Sequence, residues 1–171
     1  MSMRRVADLL NEMQHAGVIA DYALFGAAAQ MRYTEAVATL DADVLIALKS
    51  DEGLDPLASI FEFCRSRGYE LKGEAVQIGP WPVQFIPAFS ALTREALKQA
   101  ATVDFEGSPF RVVQAVHLAV IALSVGRGKD YARIIALLES GSVTPDEMET
   151  VAQRHGLAEN WKRFKARFLD E

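Results

Sequence analysis

The stretch from Tyr22 to Leu48 constrains the fold of this chain more than any other feature of the sequence. Its pattern predicts a short apolar strand, a glycine turn, a helix of small residues from Ala27 to Arg32, and a second strand. The first residues of that second strand include Asp41 and Asp43, two acids in an otherwise apolar run. Side chains alternate between the faces of a strand, so both carboxylates are expected on one face of an inner strand. The alternative is a pair of solvated turn residues at the mouth of the strand.

The paired carboxylates predict a site for a divalent metal ion. Two carboxylates held side by side repel each other unless a cation lies between them, and their oxygens suit Mg²⁺ or Mn²⁺. Gly26 precedes the predicted helix, whose first backbone N–H groups have no partner within the helix and are suited to a phosphate. A metal ion on the neighbouring strand would bring a phosphate to this helix start.

Two segments of the chain resemble a known family. Phe25-Gly26-Ala27, followed after a short helix by Thr39-Leu40-Asp41-Ala42-Asp43, resembles the signature of the nucleotidyltransferase superfamily, which shares the fold of DNA polymerase β. The layout is similar to small bacterial nucleotidyltransferases that include the abortive-infection toxins. The later Gly126-Arg127-Gly128-Lys129-Asp130 resembles their Gly-Arg-x-Lys-Asp segment, so the resemblance covers most of the chain. It implies an α+β fold, in which a mixed β-sheet is packed with helices and followed by C-terminal helices.

The resemblance also implies roles for individual residues. Asp41 and Asp43 match the catalytic acids that hold the metal ion, and Gln84 stands where the family has a third acidic ligand. The ion is Mg²⁺ or Mn²⁺, and the ligand is a nucleoside triphosphate whose nucleotidyl group passes to an acceptor such as RNA or a protein. The implied nucleotide-binding residues are Gly26, Ala27, Thr39, Arg127, Lys129 and Asp130.

Four positions depart from the family pattern. Gln84 replaces a carboxylate; its amide oxygen can coordinate a metal ion, but it carries no charge and cannot act as a general base. Ala122 stands where a lysine is common, Arg133 where another aspartate is common, and Ala27 where serine or glycine follows the first glycine. These departures support an alternative function, a catalytically degenerate nucleotidyltransferase-fold protein that acts as a binding or regulatory partner.

Composition and length bound the domain organisation. A chain of 171 residues that is 50% hydrophobic can bury one good core or two small ones. We predict an α/β core at 1–113 and a helical region packed on it at 114–171. The net charge of −5 argues against a protein that coats nucleic acid generally. The single cysteine, Cys64, excludes an internal disulfide, and its place on the apolar side of a helix predicts a buried thiol.

The remaining patterns predict local structure and location. Residues 102–113 indicate a hairpin that turns at 106–109, or else an extended connection, and 49–53 indicate a polar turn. Asp55 and Pro56 are predicted as the cap and first residue of the helix that follows, and a later helix is predicted from Tyr131 to Glu139. Residues 113–125 are apolar on nearly all sides and predict a buried helix, in which His117 is either a hydrogen-bonded core residue or a catalytic one. No leader pattern and no apolar run of spanning length is present, which predicts a soluble cytoplasmic protein without a membrane partner.

Overall fold

The computed structural model describes residues 3–35, 39–49 and 55–170. In these ranges the strands form one seven-stranded sheet. They are β1 (Ile19–Phe25), β2 (Ala42–Leu48), β3 (Glu70–Lys72), β4 (Ala75–Ile78), β5 (Trp81–Pro87), β6 (Ala101–Phe105) and β7 (Ser108–Val112). The helices are α1 (Arg4–His15), α2 (Gly26–Gln30), α3 (Ala58–Ser66), α4 (Ala91–Lys98), α5 (Ala115–Val125), α6 (Gly128–Glu139), α7 (Pro145–Arg154) and α8 (Ala158–Phe168).

The sheet is mixed, with the order β3-β4-β5-β2-β1-β7-β6. Its central strand, β2, pairs antiparallel with β1 and parallel with β5. The outer pair of β7 and β6 joins through a parallel contact between β7 and β1. The chain is therefore a mixed α+β protein, as predicted, and the predicted acidic strand is an inner one.

Helices cover both faces of the sheet. On one face α1 packs on β1, where the Tyr22 hydroxyl donates a 2.7 Å hydrogen bond to Asn11 Oδ1. On the other face lies α4, where Arg111 Nη2 donates to the carbonyl oxygen of Leu97 at 2.7 Å. Because β2 has a helix layer on either side, its residues Ala42, Val44, Leu45 and Ile46 are fully buried. Asp43, which is only half-buried, interrupts this apolar run near its start.

The hairpin prediction is confirmed. β6 and β7 are joined by Glu106 and Gly107, both with positive φ (51° and 88°), as expected for a two-residue hairpin turn. The predicted start of the helix at Asp55-Pro56 is two residues early. Asp55 Oδ1 accepts a hydrogen bond from the Leu57 N–H at 3.0 Å, which forms a turn ahead of α3. The predicted polar turn at 49–53 lies, except for Lys49, outside the described residues.

The C-terminal third is helical, as predicted. α5 is buried along almost its whole length, and α4, α6, α7 and α8 all contact it. α8 contributes Trp161 and Phe164, whose rings stack at 5.6 Å, to the core. Cys64 is buried, and this burial raises the pKa of its thiol to about 11, as expected for a core residue. None of the helices described is long and apolar enough to cross a membrane. The division at 113 stays a prediction.

Candidate active site

Asp43 lies between two strands that both contribute to its surroundings. In the ladder its neighbours are Phe25 on β1 and Gln84 on β5. Residues that pair in register point to the same face, so the Gln84 side chain lies beside Asp43 on that face. Asp41 was predicted within the strand, but β2 begins one residue later, at Ala42. The charge of Asp41 nevertheless reaches Asp43, because it raises the pKa of the Asp43 carboxyl.

Gly26 leaves room for the Asp43 carboxylate. Its φ of +66° belongs to the left-handed region that favours glycine. A Cβ atom at this position would lie 2.7 Å from Asp43 Oδ2, closer than nonbonded atoms approach. The helix that follows, α2, was predicted to extend to Arg32, but it ends at Gln30 after five residues. With so few aligned peptide dipoles the helix itself adds little to the potential at the site.

Opposing charges act on the Asp43 carboxyl. Burial raises its pKa, and the neighbouring Asp41 raises it further, while Arg133 and Lys129 lower it. The net effect is a raised pKa. Lys129 and Arg133 are four residues apart in α6 and therefore share one face of the helix. The first turns of α6 thus face the acidic end of β2 with two cations.

Arg133, which departs from the family pattern and is not among the predicted site residues, lies near Asp43. Its Nε donates a 3.0 Å hydrogen bond to Oε1 of Gln30, a residue of α2 that is buried. Burial lowers the pKa of Arg133. The charges of Asp130 and Asp43 favour the protonated guanidinium and offset part of this lowering. Gln30 and Arg133 therefore join α2 to α6 beside Asp43. The four-residue spacing from Lys129 was the signal in the sequence that could have identified Arg133.

Arg127 and Asp130, two of the predicted nucleotide-binding residues, bind each other. Asp130 Oδ2 accepts hydrogen bonds from Arg127 Nε at 2.7 Å and from the Arg127 backbone N–H at 3.1 Å. Asp130 is almost fully buried, which alone would raise its pKa, but the Arg127 hydrogen bonds and charge lower it overall. The pair caps α6, which begins at Gly128 and not at the predicted Tyr131. Their nucleotide-binding role stays a prediction, and the cap is an additional structural role.

The other predicted nucleotide-binding residues surround the same point. Thr39 Oγ1 donates a 2.8 Å hydrogen bond to the carbonyl oxygen of Asp41, which shapes the turn before β2. Ala27 follows Gly26 in the first turn of α2 and is half-buried. Lys129 is exposed on α6. Because it forms no ion pair or side-chain hydrogen bond with the residues described, its ammonium group is available to a ligand in front of Asp43.

The donor set at this point suits a hard divalent cation. No group of three or more His, Cys, Asp or Glu side chains is arranged for a metal ion in the described ranges. The candidate ligands are instead two carboxylates, Asp41 and Asp43, with the amide oxygen of Gln84. Mg²⁺ usually takes one or two carboxylates and completes its shell with water and substrate phosphates, so a partial protein shell fits it. A cation there would also relieve the repulsion that raises the pKa of Asp43.

His117 belongs to a different cluster. Its Nε2 donates to Glu95 Oε2 at 2.9 Å, and Glu95 also binds Arg154 Nε at 2.7 Å and His155 Nε2 at 3.1 Å. These contacts tie α4, α5 and the end of α7 together. The pKa of Glu95 is lowered to about 2, chiefly by the Arg154 hydrogen bond. His117 is 1% exposed, so the core interpretation of this residue holds and the catalytic one has no support.

The buried His117 predicts loss of stability in mild acid. Burial lowers the pKa of His117 more than Glu95 raises it, so folding favours the neutral ring. The unfolded chain therefore binds a proton that the folded chain excludes once the pH falls below the ordinary value of 6.5. We expect the unfolding free energy to decrease by up to about 1.4 kcal/mol per pH unit below that value.

Urea denaturation at pH 7.5, 6.5 and 5.5 measures this slope. His117→Gln should flatten it, whereas the control His15→Gln, which alters an exposed histidine, should leave it unchanged. Glu95 does not interfere in this window, because the stability from its lowered pKa is lost only between pH 4.5 and about 2. An equal slope in wild type and His117→Gln would contradict the assignment.

Solved structures of two proteins share this fold. An antigenic nucleotidyltransferase-like protein from Paracoccidioides brasiliensis matches with a TM-score of 0.56 at 16% identity, over 96% of this chain and 95% of that one. The antibiotic-resistance factor ANT(2″)-Ia matches in a solution structure with a TM-score of 0.53 at 12% identity, over 96% and 94% of the two chains. Its crystal structure in complex with adenylyl-2″-tobramycin matches with a TM-score of 0.56 at 12% identity, over 97% and 98%.

At these identities the likeness establishes the fold, which is nucleotidyltransferase-like as predicted. The resemblance to the abortive-infection branch stays a prediction. No protein-family model and no curated protein sequence matches the chain.

Proposed function

We propose that this chain, which has a nucleotidyltransferase-like fold, binds a nucleoside triphosphate with Mg²⁺ or Mn²⁺ and transfers the nucleotidyl group to an acceptor hydroxyl. One observation carries the proposal: six residues meet at the start of β2, and they are Gly26, Asp41, Asp43, Gln84, Lys129 and Arg133. They come from the start of α2, from β2 and the residue just before it, from β5, and from α6. Acidic and basic side chains beside a glycine that leaves space next to Asp43 suit a metal-bound polyphosphate.

The charges at the site favour metal and triphosphate binding together. Asp41 and Asp43 carry two negative charges, and Lys129 and Arg133 carry two positive charges. The net charge of the four side chains is therefore zero. A lone divalent cation gains little there, because the two basic residues repel it. A triphosphate is attracted electrostatically by both basic residues and by the metal ion. We therefore expect the metal and nucleotide to stabilise the fold jointly and the metal alone to have a small effect.

Each residue has a separate task in the proposed reaction. Asp41, Asp43 and the Gln84 oxygen would hold the metal ion, which when bound neutralises phosphate charge and orients the reacting phosphorus. Lys129 and Arg133 bind the phosphate oxygens, and Gln30 orients the Arg133 guanidinium toward Asp43. Gly26 and Ala27 keep the space beside Asp43 free of side-chain bulk. Gln84 cannot accept the proton of the acceptor hydroxyl, so we expect slower turnover than at a site with three carboxylates.

The acceptor is proposed only as a class. ANT(2″)-Ia has been solved with adenylyl-2″-tobramycin, an adduct on an antibiotic. The sequence leaves the acceptor unidentified, with RNA or a protein as candidates. We propose a hydroxyl as the attacking group: its oxygen forms a bond to the α-phosphorus, the bond from that phosphorus to the β-phosphate oxygen breaks, pyrophosphate leaves, and the hydroxyl proton passes to water.

Asp41→Asn with Asp43→Asn tests the binding site. ATP with Mg²⁺ at about a hundred times Kd should stabilise the wild-type fold by about 2.7 kcal/mol, and the double variant should lose this stabilisation. Differential scanning calorimetry with and without ligand measures it. Glu70→Gln with Glu74→Gln is the control, since it removes two exposed acids on and beside β3. A full ligand shift in Asp41→Asn with Asp43→Asn would place the nucleotide elsewhere.

Gln84→Glu tests the missing third charge. The substitution keeps the length of the side chain and adds a carboxylate beside Asp43, so we expect a lower Tm in EDTA through like-charge repulsion. Mg²⁺ should then stabilise the variant more than it stabilises the wild type. If the Tm of the variant in EDTA equals that of the wild type, the Gln84 side chain does not face Asp43.

Turnover is a separate question from binding. Incubation with labelled ATP, Mg²⁺ and pools of RNA, protein or small-molecule acceptors should give a labelled product that Asp41→Asn with Asp43→Asn does not form. Binding without any labelled product would support the alternative, a degenerate nucleotidyltransferase-fold partner protein.

A further inference from the structure

A cavity of about 610 Å³ lies at the other end of β2 from Asp43. Its apolar floor includes Ile46, Ala47 and Leu48, the last three residues of β2, together with Pro87 at the end of β5. None of the residues that surround Asp43 lines it. We call it the β2-end cavity, and its volume is typical of a small-molecule site.

Three basic residues surround the β2-end cavity. Arg94 and Lys98 come from α4, and Arg111 comes from β7. Asp21 is the one acid among the described lining residues, and Arg111 Nε already pairs with its Oδ1 at 3.2 Å. Arg94 and Lys98 are exposed and form no ion pair or side-chain hydrogen bond with any residue that the structure describes. Among the described residues, two positive charges at this cavity are therefore uncompensated.

The arrangement of these charges is costly for the unliganded protein. Arg94 and Lys98 are four residues apart on α4, so their side chains are neighbours, and like charges at this spacing destabilise a helix. The chain as a whole carries a net charge of −5, so this positive region stands against the overall balance. An anion bound between the two side chains would turn this repulsion into attraction.

An exposed aromatic ring completes the cavity. Phe89 lies in the connection between β5 and α4, lines the cavity and is 61% exposed. A large apolar side chain so exposed beside an apolar floor offers a surface on which a flat ring can stack.

We propose that the β2-end cavity binds a small phosphorylated molecule with a flat ring, of the nucleoside monophosphate class. The phosphate lies between Arg94 and Lys98, whose N–H donors suit phosphate oxygens, and the ring packs on Phe89 and the apolar floor. Because Arg94 and Lys98 both line a cavity of about 610 Å³, a small anion fits the site better than a nucleic acid strand. The site is independent of the proposed nucleotidyl-transfer site at Asp43.

Titration calorimetry in EDTA with each of the four ribonucleoside 5′-monophosphates, and with inorganic phosphate, tests this proposal. At least one monophosphate should bind wild type with one-site stoichiometry and more tightly than phosphate. Arg94→Gln with Lys98→Gln should weaken it about tenfold or more, because charge-assisted hydrogen bonds are lost. Phe89→Ala should weaken the binding of the monophosphate but leave the binding of inorganic phosphate unchanged.

Two controls keep the outcome unambiguous. Arg65→Gln with Lys72→Gln removes one arginine and one lysine that are exposed and do not line the cavity, and should leave the affinity unchanged. Asp41→Asn with Asp43→Asn should also leave it unchanged, which separates this site from the proposed active site. The unliganded Tm of Arg94→Gln with Lys98→Gln should equal or exceed that of wild type, because a repulsion has been removed.

Three results would overturn the proposal. The first is that no monophosphate binds wild type, and the second is equal affinity in Arg94→Gln with Lys98→Gln. The third is that a single-stranded oligonucleotide binds, and loses affinity in that variant, while the monophosphates do not bind. That result would assign the cavity to nucleic acid instead.

Discussion

Gly26→Ala is expected to destabilise the fold by about 2–5 kcal/mol and to abolish stabilisation by ATP with Mg²⁺. The φ of +66° costs an alanine about 1–2 kcal/mol, and the added Cβ would lie 2.7 Å from Asp43 Oδ2. The Asp43 carboxylate must then move, and its orientation toward the ligand is lost. Urea denaturation measures the first effect, and the ligand-dependent change in Tm measures the second.

Gly73→Ala separates the two causes. Gly73 has nearly the same φ, +64°, but a Cβ there would meet no atom within 4 Å. This control should therefore lose only the about 1–2 kcal/mol of backbone strain and should keep the full ligand response. Equal losses of stability in the two variants, with the ligand response intact in both, would show that Gly26 serves backbone conformation alone.

Glu95→Ala is expected to destabilise the fold by about 3 kcal/mol and to lower Tm by roughly 6–12 °C. The Glu95 carboxylate binds groups from α5 and from the end of α7. Its removal leaves His117 Nε2 buried without an acceptor, while Nδ1 of the same ring already has no partner in the described structure. A buried polar group without a partner costs far more than a solvated one.

Glu12→Ala is the matched control for this prediction. Glu12 also pairs with an arginine, Arg67, at 2.6 Å, but both side chains are more than 40% exposed. Exposed pairs contribute at most about 1 kcal/mol, so the expected change in Tm is small. A Glu95→Ala variant no less stable than Glu12→Ala would mean that the helices α4, α5 and α7 hold together without the Glu95 cluster.

Local patterns predicted most elements, and they failed mainly at boundaries. The apolar alternation around β2 and the turn residues of the β6–β7 hairpin identified both features correctly, because each depends on neighbours in sequence. The start of α3 was displaced because Asp55 forms a turn ahead of the helix, and the start of α6 because Asp130 lies in the first turn and accepts a hydrogen bond from the Arg127 backbone N–H. Strand order could not follow from periodicity, since the partners of β2 are set by packing between distant segments. It came only with the structure.

The site was predictable in part for the same reason. Asp41, Asp43 and Gly26 lie within one short stretch, so spacing alone suggested their approach. The place of Gln84 beside Asp43 depends on the register between β2 and β5, which no local pattern specifies. Arg133 was set aside because it differs from the family residue, although its helical spacing from Lys129 pointed to the same face. The comparison with a family pattern obscured a substitution that changes the charge of the site.

The buried cap at the start of α6 determines how that helix is rotated about its own axis. One residue of register corresponds to a rotation of about 100°, so a helix that began one residue later would direct Lys129 and Arg133 away from the sheet. The Asp130 carboxylate can be buried only while both the backbone and the side chain of Arg127 donate to it. The electrostatic potential at the acidic end of β2 therefore depends on the rotation of α6 about its axis. The hydrogen bonds between Arg127 and Asp130 fix that rotation.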